Sequence, residues 1–319
     1  MRWRTAAVAM AAVGSLGAAA LAYARWEATS YRLRQVLVPV LAPEQEPLTL
    51  LHLSDLHYVP GQAAKAAWLR SLAELEPDGV IVTGDFLAHD DAVPHVLDAL
   101  EPLLERPGAF VLGSNDYYAP HLVNPAQYLA GPSRLRENRR MLPWHDLVAG
   151  LTGAGWLDLD NRTGNALIAG QRVDLRGVDD PHIERDDYAI VAGPMDHTAD
   201  LRLGVAHAPY RRILDAMTAD GADLILAGHT HGGQLCIPGF GALVTNCDLE
   251  RSRAKGLSEH RIEGRADAAV LHVSAGLGTS PFAPFRFACP PEATVLTLVP
   301  RMPDVTARPP ARQPDALLG

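Results

Sequence analysis

Cysteine is scarce: the 319-residue chain has three, Cys236, Cys247 and Cys289, and no C-x-x-C. That excludes a full disulfide framework and a thiolate zinc knuckle, so any metal here is held by nitrogen and oxygen. Lysine is scarcer still, with Lys65 and Lys255 alone among the cations, a bias that carries no functional meaning by itself. Nor is there an excess of positive charge. With 28 basic against 37 acidic side chains the formal net charge is −9, which argues against a protein built to wrap nucleic acid phosphates. No internal repeat is visible. What is present, 48% hydrophobic and 20% charged residues, suits one sizeable core or two small ones and excludes disorder for most of the chain.

The first positive feature is residues 5–24, an uncharged run between Arg2 and Arg4 on one side and Arg25 on the other. At 1.5 Å per residue such a run is long enough for a hydrocarbon core. Ala22-Tyr23-Ala24 also satisfies the small-x-small rule for signal cleavage, so a retained single-pass anchor and a secretory signal cut near Ala24 are both open. The run exceeds the usual signal core of about 7–15 residues, which favours the anchor and a location at the cell membrane. Its orientation is undetermined, because arginines flank both ends. A buried Ala-rich helix is the plainer alternative.

Residues 27–47 read as a short strand and a Pro-rich linker, and a body spanning 48–299 follows. Strand-length apolar runs stand at 48–53, 80–83, 109–112, 203–206, 224–227 and 270–274. Helical spacing appears at 62–75 and 92–104. Strand, helix, strand predicts an α/β fold. Residues 117–159 lack a strand signal and carry Arg134, Arg136, Arg139 and Arg140, reading as an inserted cap; residues 300–319, with five prolines, read as a disordered tail.

The strand ends carry the chemistry. The run 48–53 leads into Asp55-Leu56-His57, the next into Gly84-Asp85, the third into Gly113-Ser114-Asn115-Asp116, and the later ones into His207 and Gly228-His229-Thr230-His231. Ligands of open α/β sheets bind at that edge. Asp55 and His57, two apart, can grip one ion, as can His229 and His231; Asp85 can offer one oxygen to each of two ions. Oxygen and imidazole donors suit Mn²⁺, Fe or Zn²⁺. Each fragment alone is weak, whereas the ordered set, each member after a strand, is a strong signal.

This ordered set resembles the calcineurin-like metallophosphoesterase superfamily. Leu53-Ser54-Asp55-Leu56-His57, the Gly228–Gln234 segment and Ser274-Ala275-Gly276-Leu277-Gly278 are similar to its YkuE-like, transmembrane metallophosphoesterase branch. The resemblance implies a four-layer α/β/β/α sandwich, here with an N-terminal transmembrane helix. It implies a first ion held by Asp55, His57 and His231, a second by His207 and His229, and Asp85 between them. It also implies hydrolysis of a phosphomonoester, phosphodiester or pyrophosphate by a hydroxide shared between two divalent ions. The substrate would be a phosphorylated small molecule or lipid at a membrane, such as UDP-2,3-diacylglucosamine, with no nucleic acid partner.

One motif departs from the family's Gly-Asn-His-Asp. In the gapless register Ser114 is the second ion's ligand and Asn115 replaces the catalytic His; with a one-residue slip Asn115 is the ligand and Asp116 stands near the acid's place. An amide carbonyl is a better donor than a neutral hydroxyl, which favours the slip and makes Asn115, Asp116 and His207 the catalytic candidates. Either way the histidine acid is missing. A metal-binding module with impaired catalysis and a phosphoprotein phosphatase are the rival readings. Gln234 and Arg286 are candidate substrate contacts, while His52, His182 and the remaining histidines match no ligand slot.

Overall fold

The apolar runs become strands nearly residue for residue: β2 (Leu48–Leu53), β3 (Gly79–Thr83), β4 (Gly108–Val111), β8 (Leu201–Val205), β9 (Leu224–Ala227) and β13 (Ala268–Val273), with α2 (Ala63–Ser71) and α3 (Ala92–Leu104) after β2 and β3. The computed structural model describes residues 2–122 and 139–301, with side chains of the first helix from Gly14 onward. Added to these are β1 (Arg32–Leu41), β5 (Leu157–Asp158), β6 (Arg162–Ile168), β7 (Gln171–Gly177), the short pair β10 (Cys236–Ile237) and β11 (Gly241–Ala242), β12 (Gly256–Arg261) and β14 (Glu292–Pro300), with the one-turn helices α4 (Ser114–Tyr117) and α6 (Tyr188–Val191).

Two six-stranded sheets result, ordered β1-β14-β2-β3-β4-β5 and β12-β13-β9-β8-β7-β6. Within the first, β2, β3, β4 and β5 run parallel; within the second, β13, β9, β8 and β7 do. Alternation along each strand shows how the layers stack. Leu48, Leu50 and Ile81 point into a core shared with Leu203, Val205, Leu224 and Leu226 of the other sheet. Leu51, Leu53, Val80 and Val82 face the opposite way, onto Val96, Leu100 and Leu103 of α3 and Leu147 of α5 (Trp144–Gly153). Ile225 and Ala227 likewise face Ile213, Leu214 and Met217 of α7 (Arg211–Ala219). The architecture is thus a mixed α/β sandwich with helices outside two facing sheets. Strands buried on both faces are apolar without alternation, which is why they stand out in the sequence.

Strands β6, β7 and β14 were not among the sequence expectations. β14 lies between β1, parallel to it, and β2, antiparallel to it, so residues 32–41 belong to the same sheet as the site-bearing strands. Part of the expected cap, including Arg134 and Arg136, and the expected tail from residue 302 lie outside the described residues.

The N-terminal expectation needs correction. Residues Arg2–Glu27 form one helix, α1, yet among the described residues no helix is long and apolar enough to cross a membrane. This overturns the single-pass anchor, the transmembrane helix of the expected fold and the cell-membrane location read from it. The reason is compositional: the run is Ala and Gly where an inserting helix has Leu, Ile or Phe, and its transfer free energy is correspondingly small. The end of α1 is bonded to the body instead. Arg286 N donates to Ala24 O (2.9 Å), Cys289 N donates to the Glu27 carboxylate (3.3 Å), and the Tyr23 ring meets Phe287 edge-on at 5.4 Å.

Candidate metal centre

The carboxyl ends of β2 and β3 from one sheet and of β8 and β9 from the other lie together, and their donors converge. Asp55, His57, Asp85 and His231 each offer an atom within 4.8 Å of the others. His57 Nε2 lies 3.2 Å from His231 Nε2 and 3.4 Å from Asp85 Oδ2, and His231 Nε2 lies 3.5 Å from Asp55 Oδ1. On the other side of Asp85, His207 Nε2 is 3.6 Å from Asp85 Oδ2 and 3.3 Å from His229 Nδ1. Asp85 therefore stands between two groups of imidazoles.

The backbone that aims these side chains is unusual. Asp55 (φ 50°), His57 (φ 42°), Asp85 (φ 56°), His229 (φ 68°) and His231 (φ 50°) all occupy the left-handed region. Non-glycine residues do so at a cost of roughly 1–3 kcal/mol each, and only where the surroundings over-determine them. Here Asp55 N donates to Gly84 O and His57 N to Asp85 O, both at 2.9 Å, while His229 N (3.1 Å) and Ser54 Oγ (2.6 Å) donate to Asp55 Oδ2. Two glycines complete the frame. Gly84 has φ +84°, and a Cβ there would sit 2.8 Å from His207 Nδ1; at Gly276, φ +69°, it would sit 2.6 Å from Asp55 Cβ.

The Gly113–Asp116 turn divides its residues. Asn115 joins the site: its backbone N–H donates to Asp85 Oδ1 and its Nδ2 to Asp85 Oδ2, both at 2.8 Å, and Nδ2 is 3.4 Å from Ser114 Oγ. Asp116 does not. Its buried carboxylate accepts from the backbone N–H groups of Asp85 (2.8 Å), Gly113 (2.9 Å) and Leu87 (3.0 Å), so it braces the turn and points away from the cluster.

Electrostatics follow from burial and proximity. Burial pushes the Asp55 carboxyl up to about 6 against the pull of His207 and Ser54. Asp85 is buried too, yet His207, His57 and the Asn115 hydrogen bonds hold it down at about 2. Burial lowers His57 to about 4 and puts His229 and His231 well below the usual imidazole range. His207 goes the other way: burial is outweighed by Asp85, Asp180 and Asp55, and it rises to about 10. The carboxylates thus draw positive charge to this spot, and His207 supplies it as an imidazolium. A divalent cation satisfies the same demand, and the donors fit one. Asp55 Oδ1 and His57 Nδ1 are buried without a hydrogen-bond partner, and carboxylate plus imidazole suits Mn²⁺, Fe or Zn²⁺.

Sequence reasoning missed three neighbours. His182, assigned to no ligand slot, packs its ring 4.3 Å from that of His229, with Nδ1 3.1 Å from Tyr210 Oη. Asn246 brings its backbone O to 3.2 Å and its Nδ2 to 3.3 Å from His229 Nε2. Asp180 is fully buried, and its charge acts on His207. The available signal for Asp180 and His182 was the one used elsewhere, polar residues just after a strand, here β7. Two candidates leave the list of substrate contacts. Arg286 is fully buried and donates to the carbonyls of Ala275, Gly276 and Gly278, and Gln234 Nε2 donates to Ala283 O and Phe285 O. Arg139 donates to Ala119 O, and Arg140 pairs with Asp90.

Comparison with known proteins agrees with this geometry. The family model for calcineurin-like phosphoesterases matches residues 48–233. Uncharacterized protein YpbG of Bacillus subtilis (strain 168) is 27% identical over 255 residues, covering 79% of this chain and 81% of the relative. The uncharacterized metallophosphoesterase YkuE of the same organism is 24% identical over 92% of this chain and 93% of its own length, in line with the branch that the motifs resemble. Phosphodiesterase YaeI of Escherichia coli (strain K12) is 27% identical, over 79% of this chain and 83% of the relative. The chain belongs to the calcineurin-like phosphoesterase family and is a metal-dependent phosphoester hydrolase.

Proposed function

We propose that the protein hydrolyses phosphodiester or pyrophosphate bonds with two divalent cations, one held by Asp55, His57 and His231, the other by His207 and His229, with Asp85 shared. The observation that carries this reading is the position of Asp85, within 3.4 Å of His57 and 3.6 Å of His207. When bound, such cations supply Lewis-acid charge at the phosphoryl oxygens and lower the pKa of a bound water. The chain's own part is orientation. Ser54 and the His229 N–H fix the Asp55 carboxylate, and Asn115 fixes that of Asp85.

Asn115 is a hydrogen-bond donor beside the site but has no proton to give, and Asp116 is occupied by the backbone. The leaving group therefore departs largely unaided, which favours esters whose alcohol or phosphate leaves readily; general acid help is worth about 10²–10⁴-fold where it exists. The name of the Escherichia coli relative, a phosphodiesterase, supports diesters over monoesters. An apolar group on the substrate is supported by exposed Leu235, Ile237 and Phe240, on the chain shortly after His231. A sugar-nucleotide or lipid-linked diphosphate such as UDP-2,3-diacylglucosamine has both features.

The test is hydrolysis of bis(p-nitrophenyl) phosphate and of p-nitrophenyl phosphate by chelator-treated protein reconstituted with Mn²⁺. We expect Mn²⁺-dependent turnover with the diester preferred. Metal uptake without turnover of either ester would establish the binding-module alternative.

A further inference from the structure

Two acidic residues sit side by side after β7 and lead different lives. Asp179 is fully engaged: Oδ1 accepts from Tyr117 Oη (2.8 Å) and Asp180 N (2.7 Å), and Oδ2 pairs with Arg185 Nε (2.9 Å). Asp180 uses Oδ1 to accept the His182 N–H (2.8 Å) at the start of the 3-10 turn Pro181–Ile183, and its Oδ2 is buried with no hydrogen-bond partner. A fully buried carboxylate oxygen left unpaired is strongly unfavourable unless a cation or donor meets it. No arginine or lysine pairs with Asp180 among the described residues. β7 and β8 are parallel neighbours, Gly177 opposite Val205, so the segments leaving them, which carry Asp180 and His207, reach the site side by side.

The two sides of Asp85 also differ in charge. One side has a carboxylate of its own, Asp55, beside His57 and His231. The other has His207, His229 and an asparagine whose Nδ2, not its carbonyl, faces Asp85. Hard and borderline divalent cations favour anionic oxygen, and among the expected ligands that second side has none except the shared Asp85. We propose that Asp180 supplies the missing negative oxygen and is a positioning and charge-balancing residue for the second cation, together with His207 and His229. This rests on the two-cation reading above and adds a residue to it. His182, whose N–H holds the other oxygen of Asp180 and whose ring packs on His229, ties the new carboxylate to an expected ligand.

The experiment is Mn²⁺ titration of the chelator-stripped full chain, read by elemental analysis and by electron paramagnetic resonance. Wild type is expected to take up two ions and give the exchange-coupled signal of a manganese pair. Asp180→Asn, isosteric and uncharged, should keep the first ion and bind the second about 10–100-fold more weakly, so that the coupled signal gives way to that of isolated Mn²⁺. Asp180→Glu, which keeps the charge, should restore the second ion, and Asp179→Asn should lower thermal stability while retaining both. The inference is overturned if Asp180→Asn binds two ions as wild type does, or if Asp180→Asn and Asp180→Glu lose both ions together, the mark of a purely structural role. A wild-type chain that takes up a single ion overturns the two-cation reading itself, and this is seen on the unmodified protein alone.

Discussion

The two sides of Asp85 are built by opposite means. All four donors that converge, Asp55, His57, Asp85 and His231, sit in left-handed backbone, whereas on the second side only His229 does and His207 and Asp180 do not; Asp180 has φ −61°. Convergence here goes with strain. Folding fixes the first side before any cation arrives, because the hydrogen bonds that force those dihedrals are part of the sheet edge. On the second side His229 alone is set in this way (φ 68°); His207 and Asp180 leave their strands in ordinary backbone and rely on charge, with a protonated His207 among three carboxylates. A preset pole and a charge-assembled pole respond differently to mutation and to pH, and each prediction below tests that contrast.

The largest effect is expected where the contrast vanishes, at the shared residue. Asp85→Asn replaces one carboxylate oxygen by an NH2 that can neither bind a cation nor accept a hydrogen bond from Asn115, so both ions should go. The rate loss should exceed the roughly 10–100-fold typical of outer-sphere changes. Retention of two ions per chain with near-normal turnover would show that Asp85 is not shared.

pH separates the sides next. Asp55 rises to about 6, so the stability tied to its protonated form is complete below 3.8 and is lost as pH rises through 6. His207 rises to about 10, so its imidazolium contribution is complete below 6.5 and persists until pH rises through 10. Asp85, held at about 2, contributes above 3.8 and loses that only as pH falls through 2. His57, lowered to about 4, opposes Asp55 between pH 4 and 6.5, so over this window the readout is cation binding and not the melting temperature of the metal-free protein. Protons compete with cations for these same atoms, so the rise in melting temperature on adding Mn²⁺ should grow over that window. A gain that is flat or shrinks with pH would break the assignment.

How much of this was legible follows the same division. β2, Leu48–Leu53, reads plainly because both of its faces are buried, and the residues after it could be picked out before any geometry was known. β7 does not, because Gln171, Arg172, Asp174 and Arg176 interrupt its apolar pattern. Those polar groups find partners elsewhere in the chain: Arg176 pairs with Asp220, Asp174 accepts from Asp196 N, and Gln171 donates to Glu46 O. With the strand hidden, Asp180 and His182 had no strand end to stand after. At the N-terminus the length of the apolar run was legible but its weight was not, since Ala and Leu count alike in a run and unlike in a bilayer. The two lysines show the same limit. Lys65 Nζ donates to Leu56 O (2.6 Å), between Asp55 and His57, and Lys255 Nζ lies 3.6 Å from Cys289 Sγ, a contact that only three-dimensional structure reveals.

The smallest and most discriminating effect concerns Ser114 and Asn115, at the junction of the two sides. Under the slipped register Asn115 gives its carbonyl to the second ion, and Asn115→Ala should lower second-ion occupancy while Ser114→Ala does little. The geometry adds a second route to the same loss, because Asn115 Nδ2 donates to Asp85 Oδ2 at 2.8 Å and removing it frees the shared carboxylate to rotate. The first ion separates the two routes. A lost ligand affects the second ion alone, whereas a loosened Asp85 weakens both, and the backbone N–H of Asn115, still bonded to Asp85 Oδ1, limits that weakening to less than Asp85→Asn produces. Asn115→His then distinguishes the registers. If Asn115 occupies the acid's place, an imidazole there should narrow the gap between activated aryl diesters and esters with poor leaving groups, by up to about 10²-fold with metal content unchanged. If Asn115 is a ligand, the same variant should lose second-ion occupancy and leave that gap as wide as before.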